Sequence, residues 1–244
     1  MAGTDRDPDV RIEPCAKRLR AHLGGEVVLD TVGARLVWEV SYYPQYYVPR
    51  EDVRAKLEPT GHRKLSRQRG DGVLWTVALG GREVVNAAST YDDSPIAELH
   101  GLVRLRWDAM DAWFEEDEEV FTHARSPYRR VDILPTSRHV RVETGGAQLA
   151  ESTSAHVLFE TGLPPRFYLP KVDVRMDLLE QSSTVTHCPH KGRTRYWSLR
   201  LDGHGIDDVA WSYPFPLPEC TRIAGLVSFE SRKVDVVVDG VRQD

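Results

Sequence analysis

The stretch of the chain richest in reactive side chains is Thr186-His187-Cys188-Pro189-His190-Lys191-Gly192. A cation directly before a glycine in a turn can hold an anionic group while the glycine lets that group approach the backbone, so Lys191 and Gly192 suggest an anion site. The plainer reading is a solvated turn lysine, or a lysine paired with Glu160. Cys188 lies near that cation in sequence, and a neighbouring positive charge favours the thiolate that nucleophilic and redox cysteines need. Its alternative is a small buried hydrophobe. His187, Cys188 and His190 form a nominal ligand cluster, but structural zinc needs four ligands in converging pairs and no second pair stands nearby, so no metal is expected.

Glu160 sits among apolar residues, where a carboxylate is costly unless a cation meets it. Lys191 and Arg166 are its candidate partners. Lys191, Cys188 and Glu160 are the weak catalytic candidates, and the sequence does not decide whether the protein is an enzyme. Tyr168, Trp211 and Tyr213 could wall a pocket for a planar ligand, because aromatic faces hold such groups and polar edges orient them; they could equally be core. Trp197 is expected in the core. Asp235 and Asp239 read as one exposed strand face rather than a metal site, and Tyr42, Tyr43, Tyr46 and Tyr47 lack the basic groove that a single-strand stacking platform requires.

What must position these residues is a duplicated unit. Shifting the chain by 121 positions aligns Lys17–Leu57 with Arg138–Leu178 without a gap, and 12 of the 41 positions are identical, several times what composition alone gives. The matches include Gly24-Gly25 with Gly145-Gly146, Glu39 with Glu160, and Tyr47-x-Pro49-x-x-Asp52-Val53-Arg54 with Tyr168-x-Pro170-x-x-Asp173-Val174-Arg175. A shift of 122 then pairs Arg69-Gly70 with Lys191-Gly192, Trp75 with Trp197 and Tyr91 with Tyr213. The reading is an extended or disordered segment over 1–16, copy one over 17–118, a linker over 119–137 and copy two over 138–244.

Within each copy apolar and polar residues alternate, as in Val140-Arg141-Val142, which means half-buried strands. Gly24-Gly25, Gly145-Gly146 and Asp202-Gly203 read as hairpin turns. Pro49 and Pro170 each precede a short helical signal, with Val53 and Leu57, or Val174 and Leu178, at i and i+4. The fold class expected is mainly β, with two tandem antiparallel domains, tent-like or barrel-like, related by a pseudo-two-fold axis and each carrying a short helix.

Composition narrows the function. Lys plus Arg number 32 against 37 Asp plus Glu, a net charge of -5, and no segment gathers a basic stripe, so nucleic acid is disfavoured as a partner. No apolar run approaches the roughly 20 residues that span a bilayer. Three widely spaced cysteines, Cys15, Cys188 and Cys220, fit a reducing compartment, so a cytoplasmic protein is expected.

The Cys188-Pro189-His190-Lys191-Gly192 turn, Tyr196-Trp197, Trp211-x-Tyr213, Leu158 to Pro164 and Arg130 to Pro135 together resemble a bacterial and fungal family of unknown function that carries a nucleotidyltransferase label. The resemblance covers nearly the whole chain and implies a tandem member with a curved antiparallel β fold in each copy, without an established activity. Nucleotidyltransferases usually hold Mg²⁺ on two or three carboxylates beside a Gly-Ser turn, and no such arrangement is legible, so no cofactor is expected. Copy one departs from the hallmark, with Ser66 to Gly70 in place of Cys188 to Gly192 and Ser89 in place of Trp211. The site is therefore expected in copy two or in the cleft between the copies, as a small-molecule pocket for an anionic or nucleotide-like ligand with Lys191, Gly192, Arg166, Tyr168, Trp211 and Tyr213 as its binding residues. The alternative is a non-catalytic protein-interaction module, and oligomeric state is left open.

Overall fold

The computed structural model of the protein describes residues 10–201 and 204–243. The chain divides into two units, Met1–Ser126 and Pro127–Asp244, and each is built from one large and one small antiparallel sheet. In the first unit the large sheet runs, in spatial order, Arg11–Pro14, Arg35–Val40, Tyr43–Pro49, Leu102–Leu105, Arg82–Thr90, Gly72–Leu79 and Lys56–Lys64. The small sheet runs Glu118–Val120, Ala112–Glu115, Leu19–Leu23 and Glu26–Thr31.

The second unit repeats this order. Val131–Pro135, His156–Glu160 and Arg166–Tyr168 form one part of its large sheet; Val227–Phe229, His204–Ser212, Arg195–Leu201 and Leu179–Gln181 form the other. A bridge between Leu169 and Val227, with reciprocal backbone hydrogen bonds of 2.8 and 2.9 Å, joins the parts where the first unit pairs Val48 with Val103. The small sheet is Val241–Gln243, Asp235–Val238, Val140–Thr144 and Ala147–Ser152. Neither large sheet closes into a barrel, since each ends on an edge strand at both sides.

Register carries the duplication further towards each copy's start than residue identity does. Ile12 stands opposite Val37 and Ile133 opposite Leu158, while Pro14 and Pro135 end the paired edge strands. Copy one thus includes residues 11–14, and part of the expected linker, 131–135, is the first strand of copy two. Residues 1–9 and the Asp202-Gly203 turn lie outside the described residues.

Period two places alternate residues on opposite faces of each large sheet. One face, with Leu36, Trp38, Tyr46 and Val48 in copy one and Val157, Phe167, Leu169 and Trp197 in copy two, packs with the small sheet into the main core. The other face carries a smaller cluster: Val37, Tyr47, Tyr91 and Leu99, or Leu158, Tyr168, Tyr213 and Cys220. Tyr42 is exposed and Tyr43 stacks on His123 at 4.0 Å, so the four tyrosines form no platform.

The expected helices shrink to single 3-10 turns, Arg50–Asp52 and Lys171–Asp173. One turn is below the length at which an α-helix propagates, and a side-chain tether fixes it: Thr31 Oγ1 donates to Asp52 at 2.6 Å, and Ser152 Oγ to Asp173 at 2.6 Å. Beyond the turn Val53 bridges to Leu29 and Val174 to Ala150, which commits both valines to extended backbone. Leu57 then enters a strand, whereas Leu178 closes a second 3-10 turn.

Asn86 and Asp208 occupy matched positions in an irregular strand pairing, and both adopt left-handed backbone, with φ of 56° and 48°. Asn and Asp tolerate that region, whereas a β-branched residue does not. Asn86→Val is expected to cost on the order of 1–2 kcal/mol in chemical denaturation, and Asn86→Gly less than about 1 kcal/mol. Equal losses for the two variants would show that the backbone there is unstrained.

Candidate functional site

On the outer face of the large sheet of copy two lies a cavity of about 420 Å³. Its wall follows the strand period: Leu158 and Glu160 from one strand, Arg166 and Tyr168 from the next, Trp211 and Tyr213 from a third, Tyr196 from a fourth. Lys191 completes this wall from the turn that connects His187–Cys188 to its paired strand Gly192–Arg193. Five expected site residues therefore meet at one cavity: Lys191, Arg166, Tyr168, Trp211 and Tyr213. Glu160 meets them there.

The carboxylate of Glu160 is almost fully buried, at 7% exposure, and Lys191 Nζ is bonded to its Oε2. Arg129 Nη1 lies 3.6 Å from Oε1. Lys191 is therefore not a solvated turn lysine. It neutralises a buried acid, the pairing open to it in the sequence, and also lines the cavity.

Arg166 leans over the Trp211 ring, 5.6 Å from its centroid, and contacts Ser231 Oγ at 3.3 Å and Glu230 at 3.8 Å. Trp211 Nε1 donates to Tyr168 Oη at 3.3 Å. Burial pushes the hydroxyls of Tyr168 and Tyr213 well above their ordinary pKa, so both stay neutral and offer hydrogen bonds rather than base chemistry.

Two expected residues stand elsewhere. Gly192, with φ of 98°, packs against the backbone of residues 215–217, where a Cβ would lie 3.4 Å from Leu217 N. The left-handed turn requires glycine there, and Gly192 does not line the cavity. Cys188, half-buried, packs against the Leu158, Tyr168 and Tyr213 cluster rather than facing the cavity. Cys220 Sγ donates to His190 O at 3.3 Å. No group of three or more potential metal-ligating side chains occurs among the described residues. Asp235 pairs with Arg242, while Asp239 has φ of 50° in a hairpin turn, accepts from His139 N at 3.0 Å and pairs with Arg138, so the two do not form one strand face.

Comparison with copy one explains the cavity. By register Gln45 matches Arg166, Ser89 matches Trp211 and Arg104 matches Ser228. In copy one Arg104 crosses to Gln45 Oε1 at 3.1 Å and to Glu39 at 3.2 Å, and Arg69 reaches Glu39 at 2.5 Å and Tyr47 Oη at 2.8 Å. Burial opposes ionisation of Glu39, but Arg104, Arg69 and Lys64 outweigh it and hold the carboxyl below its usual range. The region is filled by a closed ionic cluster. A shallow depression of about 380 Å³ beside Glu39 reaches neither Arg69 nor Tyr47. In copy two a buried Ser228 stands where copy one has Arg104, and a cation, Arg166, stands on the adjacent strand where copy one has Gln45.

Sequence reasoning did not single out Arg129, Thr184, Asp208, Glu230 or Lys233, and gave Thr186, at the head of the reactive stretch, no role. Arg129 lay in the expected linker, and Thr184 and Asp208 have no motif of their own. The one available signal was the repeat itself, which aligns Asp208 with Asn86.

The sequence profile of the domain of unknown function DUF427, labelled NTP_transf_9, matches twice, over residues 11–116 and 132–240. The chain belongs to that family, as a tandem two-copy member. No curated protein matches it.

Because Lys191 meets a buried carboxylate, Lys191→Met is expected to destabilise the protein. Breaking a buried pair costs about 3–5 kcal/mol, and Arg129 should hold the loss to the lower part of that range. Urea denaturation of the variant and of Lys191→Arg checks this, with the arginine variant expected to recover most of the loss. An unchanged midpoint for Lys191→Met would show that the pair contributes nothing.

Proposed function

We propose that copy two binds a small anionic, nucleotide-sized molecule in the cavity on the outer face of its large sheet. The observation that carries this reading is a cation, Arg166, on the wall of a cavity, at the position where copy one has Gln45 bonded to Arg104. Lys191, with one N–H committed to Glu160, adds a second positive group to the wall. Trp211, Tyr168 and Tyr213 supply aromatic surface beside these cations, the combination that holds a flat ligand with a charged end.

The volume suits a ligand of roughly nucleotide size, since small-molecule pockets run to about 300–1,000 Å³. The reading is one of recognition. The neutral tyrosines and the Glu160 pairing support binding roles more directly than a proton-transfer role. We place the protein in the cytoplasm, a reading supported by three widely spaced cysteines that form no disulfide with one another.

Screening nucleoside monophosphates, sugar phosphates and aromatic acids by ligand-observed NMR tests the proposal. At least one anion is expected to bind, and Arg166→Ala and Trp211→Ala should each weaken it about tenfold or more, given about 1–3 kcal/mol per charged or stacked contact. Gln45→Ala, the matched change in copy one, should leave affinity unchanged. Absence of binding across the screen, or equal affinity in all three variants, would reject the proposal.

A further inference from the structure

The hydroxyl groups on the far side of the cavity have a forced direction. Thr194 Oγ1 donates its single proton to Thr186 O at 3.0 Å and accepts from Thr186 N at 2.9 Å. Its 2.7 Å contact with Thr186 Oγ1 must then be a bond donated by Thr186. With that proton committed, Thr186 Oγ1 can meet Tyr196 Oη, 3.0 Å away, only as acceptor, so the tyrosine proton is committed as well. Tyr196 turns only lone pairs to the cavity.

Asp208 extends the same surface. Ser182 and Thr184 donate to its two oxygens at 2.6 and 2.7 Å, and these bonds, Ser182 first, hold its carboxyl below the usual range. Lys233, the cation on this side, directs Nζ at the backbone carbonyls of Asp207 and Asp208, at 2.7 and 3.3 Å. Arg166 lies across the sheet. Its strand is three strand spacings from that of Tyr196, about 14 Å.

We infer that the cavity selects an anion carrying a hydrogen-bond donor, such as an amino group, at the end remote from its charge. The anionic end meets Arg166 and Lys191, and the donor end meets Asp208, Tyr196 and Thr186. This inference rests on the binding role proposed above and adds its polarity. A ligand presenting an acceptor at the far end would face the lone pairs of Asp208, Tyr196 and Thr186, with only the third N–H of Lys233 left to meet it, and sites built mainly for one hydrogen-bond sense disfavour the other.

Two matched probe pairs test it by calorimetry on the full chain: AMP against its 6-methoxy analogue, and 4-aminophenyl phosphate against 4-methoxyphenyl phosphate. The amino member of at least one pair is expected to bind about tenfold or more tightly than its partner. Asp208→Asn should remove most of that preference while leaving the fold intact, because copy one carries Asn86 at the same left-handed backbone position. Equal affinity within both pairs, or preference for the methoxy members, with Arg166→Ala still weakening binding, would overturn the inference and leave the binding proposal standing. Binding by none of the four probes, alongside an empty anion screen, would overturn both.

Discussion

Each copy carries a glutamate on the outer face of its large sheet, and the remainder of that face is arranged around the need to neutralise it. A carboxylate at 7% or 13% exposure, as at Glu160 and Glu39, is not tolerated without a cation close by. The nearest cation comes in both copies from the same turn, as Arg69 or Lys191. That ties the turn to the sheet, and the tie brings the neighbouring strands' tyrosines into one cluster. What distinguishes the copies is how the remaining cations are placed. Copy one adds Arg104 and Lys64 and fills the space; copy two adds Arg129 from outside the sheet and keeps Arg166 on the cavity wall.

Much of this was legible in the chain. The repeat placed Glu39 beside Glu160 and Arg69 beside Lys191 before any fold was known, and the apolar setting of Glu160 demanded a cation. Alternation indicated strands, and period two put Tyr168 and Arg166 on one face. Other features were out of reach for physical reasons. The edge strands Arg11–Pro14 and Val131–Pro135 are too short to show a period, so the repeat did not reach the start of each copy, which pairing register and the family match mark. The i, i+4 valine and leucine pairs resembled a helix, because such spacing also arises when a 3-10 turn runs into extended chain. The hydroxyl relay of Thr194, Thr186 and Tyr196 depends on side-chain geometry that residue spacing does not encode.

Duplication also separates what the fold requires from what one copy alone does. Features kept twice, such as the Thr31–Asp52 and Ser152–Asp173 tethers and the left-handed Asn86 and Asp208, belong to the architecture. Features present once, namely Trp211, Arg166 and the Thr186–Tyr196 end of the relay, line the cavity. The carboxylates that line the cavity each have partners: Glu160 meets Lys191, Asp208 meets Ser182 and Thr184, and Glu230 meets Arg166.

The binding role proposed for copy two places a small anion against Arg166 and Trp211. Native mass spectrometry of protein purified without denaturation tests it most directly. The expected result is a molecule of nucleotide-like mass retained by the wild-type chain, one per chain, and lost from the Arg166→Ala, Trp211→Ala double variant. A wild-type chain that carries no such molecule and takes none up from a cell extract, or a double variant that retains it undiminished, would contradict the claim.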